Sequence, residues 1–410
     1  VRSPEVSGFL GLGIAPGLLA ALDGLGFTQP TPIQRKSIPL AIDGQDLIAI
    51  AQTGTGKTLA FGIPMLQRLA GMRGSGLVLL PTRELALQVD EALHGVGQSP
   101  QLRTAVLIGG ASMTQQIQAL QRKPRILVAT PGRLLDHLQQ RSVTLKDVCI
   151  LVLDEADRML DMGFAPQINR ILAVVPRERQ TMLFSATIPQ EIVSLARSHM
   201  KLPVHVEISR SGTTADNIAQ EVFFVEKSDK TSLLDLQLRQ YPGSTLVFTR
   251  TKYGAMQLAR RLRSLNYSVA DIHSNKTLPQ RRKALEGFKS GQFRVLVATD
   301  IAARGIDVTG IELVVNYDLP SQSGDYVHRI GRTARAGRAG RAISFATFEQ
   351  RRDVKEIEAL IRAVLPVTPL PPEFKAPPML DPTKPVQHFR SRGRSGSRLG
   401  TRGRKRARSL

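Results

Sequence analysis

Short, continuous apolar runs rich in Val, Ile and Leu alternate with helical patterns along most of this chain, and that alternation constrains the fold more than any other feature. A first series lies at 47–51, 77–80, 104–108, 125–129, 149–153 and 181–184. A second lies at 221–225, 245–249, 269–272, 294–298, 313–317 and 342–346. Runs without polar alternation suit strands buried on both faces of a parallel sheet, with helices packed outside. Two series predict two α/β domains in tandem, and 410 residues suffice for two cores and a tail. The boundaries expected are 1–208 for the first domain, 209–216 (SRSGTTAD) for a polar hinge, and 217–365 for the second domain. No repeat is visible at the level of individual residues. Segment 366–385 holds 8 prolines, and after Asp381 there are 10 Lys or Arg and no acid. Segment 366–410 therefore reads as a Pro-rich linker followed by a disordered, Arg-rich tail.

The net charge of +22 points to a polyanionic partner, nucleic acid first and an anionic membrane surface second. Without the tail the rest still carries +12. No apolar segment is long enough to span a bilayer. The opening VRSPEVSGFL lacks the continuous apolar core of a signal peptide, so secretion is not expected. The single cysteine, Cys149, lies in the run 149–153 and reads as a buried core thiol; no disulfide within the chain can form.

The first run leads directly into AQTGTGKT at 51–58. Ligands of parallel α/β sheets bind beyond the carboxyl ends of the strands. Glycines 54 and 56 let the backbone curl so that its N–H groups converge on phosphate oxygens. Lys57 adds a charge for β- and γ-phosphates, and the Thr58 hydroxyl can hold Mg2+. Ala51 stands where the full phosphate-loop pattern has its first glycine, and a Thr-capped glycine turn is the alternative. A second strand end weighs against that alternative. ILVLDEAD puts Asp154 where a carboxylate can orient the water shell of Mg2+, and Glu155 where one can position or deprotonate an attacking water. Capping of the following helix is the competing role for these acids. The two sites together favour nucleotide hydrolysis.

Asp154, Glu155, Ala156 and Asp157 spell DEAD, and the chain resembles the DEAD-box ATP-dependent RNA helicases from Phe9 to Arg338, in the flavour of compact bacterial members with a basic C-terminal extension. The resemblance implies two RecA-like domains. It implies that Thr53, Gly54, Thr55, Gly56, Lys57 and Thr58 hold ATP and that Mg2+ sits near Thr58 and Asp154, the acid acting through water. GFTQPTPIQ at 26–34 resembles the motif that reads adenine, with Gln34 offering both a donor and an acceptor. Phe9 matches the family's stacking aromatic, with ordinary core packing as its alternative. Asp307 is implied at the ribose. SAT, with Ser185 and Thr187, is implied to link the nucleotide site to RNA. In the first domain the RNA-facing residues implied are Pro81, Thr82 and Arg83, then Gly109 and Gly110, then Thr130, Pro131, Gly132 and Arg133. In the second they are Arg250, Gln280 and Thr299. Lys283 stands where the family often has Arg, which removes a bidentate phosphate contact.

HRIGRTARAGR at 328–338 spaces Arg329, Arg332 and Arg335 by three, which on one helix makes a single basic ridge. By resemblance Arg332 and Arg335 are fingers for the γ-phosphate, and His328 contacts the DEAD segment near Asp157. Ala334 replaces a glycine common in the family. The cycle implied is closure of the two domains on ATP and RNA, grip on the sugar-phosphate backbone with little sequence preference, local separation of a short duplex, and release of RNA on hydrolysis. An ATP-gated RNA clamp and a DNA helicase of the same superfamily are the rival readings. Ribosomal precursors and RNA-turnover proteins are the further partners suggested, for a cytoplasmic monomer that does not bind membrane.

Overall fold

Two all-parallel sheets carry the chain, as the run pattern predicts. The structure is a computed structural model that describes residues 8–51, 54–97, 102–208, 218–300, 311–334, 340–371 and 374. The expected hinge at 209–216 and the Arg-rich tail lie outside these residues, as do Thr53, Asp307 and Arg335. The first sheet contains β1 (Leu47–Ile50), β2 (Ser75–Leu79), β3 (Thr104–Leu107), β4 (Ile126–Ala129), β5 (Val148–Leu153), β6 (Gln180–Ser185) and β7 (Val204–Glu207), in the order β3-β4-β2-β5-β6-β1-β7. The second contains β8 (Ile218–Phe224), β9 (Thr245–Thr249), β10 (Val269–Ile272), β11 (Val295–Thr299), β12 (Leu313–Asn316) and β13 (Gly340–Ala346), in the order β10-β11-β9-β12-β13-β8. These are tandem RecA-like domains, and every apolar run read from the sequence falls on a strand.

Each sheet is sandwiched between two apolar layers. One face of the first sheet meets the helix Lys57–Gly71, whose Phe61, Ile63, Met65 and Leu69 are fully buried. Phe61 meets Phe184 of β6 edge to face, with ring centroids 5.4 Å apart. Aligning the two strand orders pairs β4 with β11, and here a residue-level repeat does exist. Arg125, just before β4, donates to the carbonyls of Gly74 at 2.6 Å, Leu69 at 3.0 Å and Met72 at 2.7 Å. Arg294, just before β11, donates to Gly243 at 3.3 Å, Tyr241 at 2.7 Å and Leu238. Each guanidinium gathers the orphan carbonyls at the end of the helix that precedes the central strand.

Four sequence readings need correction. The strand β7 was not expected. Its burial alternates, and it pairs on one side only, with β1, so it lacks the continuous apolar signature. Cys149 is only half-buried, its thiol 3.5 Å from the Ser75 carbonyl oxygen. The chain after 365 does not leave the domain at once. Val222 N–H donates to Pro366 O and Thr368 N–H to Val222 O, each at 2.9 Å, so this segment covers the open edge of β8. Finally, the arginine ridge does not form. The helix carrying Arg329 is Ser323–Ile330, and it stops before Arg332.

The turn beyond that helix holds Ala334 at φ 54°, in the left-handed region. A β-carbon there costs roughly 1–2 kcal/mol, whereas glycine would cost roughly 0.4–1 kcal/mol through the unfolded chain. Ala334→Gly should therefore raise the stability of the second domain by about 0.5–1 kcal/mol, read as a higher urea midpoint of its unfolding transition. An unchanged or lower midpoint would show that the turn is unstrained.

Candidate functional site

The carboxyl ends of β1, β5 and β6 meet in one buried cluster. After β1, Gly54 and Gly56 both take φ 88°, which no β-carbon tolerates comfortably. Gly56 caps the helix Lys57–Gly71, so the helix N-terminus opens onto the turn. Thr55 and Thr58 are half-buried there. The Lys57 ammonium is buried, lies 3.7 Å from Asp154 Oδ1 and makes no hydrogen bond. A buried ammonium with unused donors beside a helix N-terminus is suited to an anion. The turn thus fits a nucleoside phosphate, and the Thr58 hydroxyl and the Asp154 carboxylate are oxygen donors of the kind a magnesium ion takes.

The acids after β5 are held individually. Burial, with the neighbouring Glu155 and Asp157 carboxylates, pushes the Asp154 pKa up to about 6 against the pull of Lys57. Glu155 adopts φ 51° and ψ 49°, a left-handed conformation that turns the chain sharply out of the strand. Arg158, one helical turn on, donates to Glu155 Oε2 at 3.1 Å, and both side chains are buried. Asp157 reaches the end of β6. Its Oδ2 accepts from Ala186 N–H at 3.1 Å, Thr187 N–H at 2.8 Å and the Thr187 hydroxyl at 2.9 Å. In return the Asp157 N–H points at Ser185 Oγ at 3.3 Å, and that hydroxyl donates to Thr187 O at 2.6 Å. DEAD and SAT are one hydrogen-bonded unit.

Gln34 and Phe9 are both held by partners within the first domain. Gln34 Nε2 donates to Gly56 O and its Oε1 accepts from Thr31 N–H, both at 2.9 Å. The amide therefore braces the phosphate turn, keeping one N–H and one lone pair for another partner. Phe9 is buried in the apolar cluster that contains Ile33 and Phe61, as its core-packing reading describes.

The second domain closes over the acids. His328 is half-buried with Asp157, Glu155 and Arg158 as its electrostatic neighbours. Burial and the Arg158 guanidinium push its pKa down to about 3, which leaves a neutral imidazole at neutral pH. Arg332 is buried beside it and donates to His328 O at 3.2 Å. Arg329 is a buried clasp instead of a surface cation. It grips Asp300 at 2.5 and 2.7 Å, Asn316 at 3.0 Å and the Asp318 carbonyl at 2.6 Å. Asp300 directly follows Thr299, which is half-buried at the end of β11.

A second set of strand ends forms a polar band. Thr82 caps the helix Arg83–Val96 by accepting from Leu85 N–H at 3.3 Å. Thr130 precedes the helix Pro131–Gln139, with Pro131 in its first turn and Gly132 facing open space. Arg133 donates to Ala111 O at 3.1 Å. The Arg83 guanidinium lies against Gly109 and Gly110 so closely that a β-carbon on Gly110 would collide with it, and Gly110 has φ 76°. In the second domain Arg250 is exposed, its N–H bonded to Asp318 Oδ2 at 3.0 Å, while Gln280 caps its own helix through Thr277 N–H at 3.0 Å. Lys283 is exposed. The halves are joined by Arg281 and Glu84, 3.1 Å apart and buried, and by Leu278 packed on the first domain's core. Sequence reasoning missed Arg158, the Arg329–Asp300 clasp and this ion pair. Only the Glu155–Arg158 spacing was readable.

Residues 31–195 match the DEAD/DEAH box helicase family, and residues 228–337 match the helicase conserved C-terminal domain. An ATP-dependent rRNA helicase of Debaryomyces hansenii, RRP3, is 44% identical over 364 residues, covering 88% of this chain and 76% of that protein. The rrp3 helicase of Sclerotinia sclerotiorum is 46% identical over 331 residues, covering 80% and 69%. The structure of S. cerevisiae Dbp5 bound to RNA and ADP BeF3 superposes with a TM-score of 0.79 at 31% identity, covering 89% of this chain and 96% of that one. Mss116p bound to ssRNA and AMP-PNP gives 0.81 at 28% identity, covering 89% and 79%.

Gly110→Ala should displace the Arg83 guanidinium. Charge-assisted hydrogen bonds contribute roughly 1.5–3 kcal/mol, so RNA binding should weaken about 10- to 100-fold. Fluorescence anisotropy checks this, and an unchanged affinity would mean that Arg83 does not contact RNA.

Proposed function

The chain belongs to the DEAD-box family and is an ATP-dependent RNA helicase, and we propose that it works as a two-domain clamp whose closure completes the ATPase site. The observation that carries this reading is the buried, unbonded Lys57 ammonium beside Asp154, with His328 of the second domain next to Asp157 and Glu155 and Arg332 beside His328. In this reading residues 1–208 bind ATP, 209–216 is the hinge and 217–365 supplies the closing half.

Lys57 and the N–H groups of the turn 53–58 neutralise the phosphates. The Thr58 hydroxyl and the Asp154 carboxylate would hold a magnesium ion, which would supply positive charge against the phosphates. Glu155, oriented by Arg158, positions the attacking water and takes its proton. Arg332 and Arg335 stabilise the charge that develops on the departing phosphoryl group. Asp307 meets the ribose, Gln34 the adenine edge, and Phe9 the base face once it is drawn from its packed position. His328, kept neutral, senses the acids by hydrogen bonding instead of charge. Pro81 to Arg83, Gly109, Gly110, Thr130 to Arg133, Arg250, Gln280 and Thr299 grip one RNA strand by its sugar-phosphate backbone.

The names of the relatives make ribosomal RNA the first RNA class to test, with ribosome assembly as the setting. A monomer acting in the cytoplasm, with RNA-turnover proteins as further partners, completes the proposal. No helix among the described residues is long and apolar enough to cross a membrane. The Arg-rich tail tethers RNA phosphates without sequence preference.

Glu155→Gln keeps the shape that Arg158 holds but cannot accept a proton. It should bind ATP normally and lose about 100-fold or more in turnover, accumulating a closed RNA complex. Steady-state ATPase assays with parallel nucleotide titrations check this, and parental turnover would take the base role from Glu155.

Gln34→Ala frees Gly56 O and removes the adenine partner together. ATP affinity should fall about tenfold or more, with the ATP-over-GTP preference reduced. An intact preference would mean that Gln34 braces the loop without reading the base.

A further inference from the structure

Outside the cleft, the second domain carries an open groove of about 1030 Å³. Its walls are the carboxyl ends of β8, β9, β12 and β13 and the helices Lys230–Gln240 and Lys252–Ser264. None of Gln280, Arg281, His328 or Arg332, the groups facing the first domain, lines it.

The charges in the groove are of two kinds. On the floor, Lys230 is buried and donates to Tyr317 O at 2.8 Å and Phe345 O at 3.3 Å, beside Asp318 at 3.5 Å. The second Asp318 oxygen accepts from Arg250 N–H. Lys230 and Asp318 thus offset each other inside the wall. On the rim, Lys227, Arg250, Arg260 and Arg261 are exposed, against one exposed acid, Glu349. The groove presents a net positive face that the fold leaves uncompensated.

Shape and chemistry narrow the occupant. The groove is too open and too large for one nucleotide, and its rim is cationic where a small-molecule pocket would be apolar. Tyr253 stands 63% exposed among these cations, with Lys252 Nζ 5.2 Å from its ring centroid. A cationic track with an exposed aromatic platform suits single-stranded nucleic acid, since every base has a face to stack. An acidic peptide would use the charges and leave the ring idle.

Two connections give direction. Arg250 belongs to this rim and also to the RNA surface proposed above, so a strand leaving the clamp enters the groove without a gap. The chain itself returns to this place. Phe374 packs into an adjoining hollow that shares Thr231, Arg261 and Ser264 with the groove. Ten basic residues follow Asp381 in the sequence. A cationic rim and a cationic sequence share one kind of ligand, a polyanion.

We propose that this groove is a second RNA track, which takes the single-stranded RNA flanking the clamped segment through its phosphates and through a base stacked on Tyr253. The proposal rests on the RNA-helicase reading. Two RNAs separate the two ideas: a short strand that fills only the clamp, and the same strand with a long single-stranded flank on each side. In the full chain, Lys227→Glu with Arg260→Glu should raise the concentration of flanked RNA needed for half-maximal ATPase roughly tenfold. It should also lower the salt slope of flanked-RNA binding by roughly 1.4, the value for two single-strand phosphate contacts. Tyr253→Ala should act in the same direction without changing the slope. With the short RNA the Lys227 and Arg260 double variant should match the parent in both half-saturation and kcat.

Parental affinity and salt slope for flanked RNA in the double variant would overturn the proposal. Equal weakening toward both RNAs would overturn it too, because the groove would then belong to the clamp. Loss of polyglutamate binding with unchanged RNA binding would assign the groove to an acidic protein segment instead. A parent chain stimulated by neither RNA would remove the helicase premise along with the proposal.

Discussion

Buried charge is the constraint on which the cleft depends. Lys57, Asp154, Glu155, Asp157, Arg158 and Arg332 are all buried, and an unpaired ion in such surroundings costs several kcal/mol. Most of these charges have found compensation. Glu155 has Arg158, and Asp157 collects N–H and hydroxyl donors from the end of β6. Lys57 has not, since 3.7 Å from Asp154 is too far for a hydrogen bond. The raised pKa of Asp154 expresses the same deficit from the acid's side. In the proposed function a phosphate on Lys57 and a cation on Asp154 would relieve both at once.

That cluster also carries the coupling. Asp157 is fixed to Ser185 and Thr187 on one side and lies among the neighbours of His328 on the other. Any shift of the DEAD turn on nucleotide binding must therefore move the end of β6 or the approach of the second domain. His328 in turn shares a helix with Arg329, whose clasp on Asp300 fixes the residue after Thr299. One helix thus holds both the residue next to the DEAD acids and the arginine that fixes the end of β11, so in the proposed clamp it would couple ATP and RNA binding.

The sheet and the glycine turn after β1 are legible because their signals are local. Continuous apolar runs mark strands covered on both faces, and Gly54, Gly56 and Lys57 announce their backbone geometry by residue type. What stayed hidden depends on partners far away in sequence. β7 is an edge strand whose exposed face dilutes its pattern. Arg329 reads as a surface cation by spacing, and only the fold shows Asp300 and Asn316 waiting for it. The match between Arg125 and Arg294 emerges only once β4 and β11 are known to occupy equivalent positions. Gln34 was assigned to the base, yet its ties to Thr31 and Gly56 form because the helix Pro32–Ile42 runs beside the turn. At Ala334 the sequence did carry the clue: the alanine replaces a glycine common in the family, and its φ lies in the region glycine favours.

The joint between the domains explains why closure can be reversible. Glu84 and Arg281 form a buried ion pair, and such pairs add little net stability because desolvation offsets their attraction. Leu278 adds one apolar contact, a modest contribution. Neither contact by itself locks the halves together. Glu84 directly follows Arg83, and Arg281 directly follows Gln280, so each member of the pair adjoins a residue proposed to contact RNA. The pair is made at 3.1 Å in this structure, so a strand that engaged both Arg83 and Gln280, as proposed, would hold in place a contact the domains already make. In that proposal RNA spanning both domains favours closure before any step at the phosphates is considered.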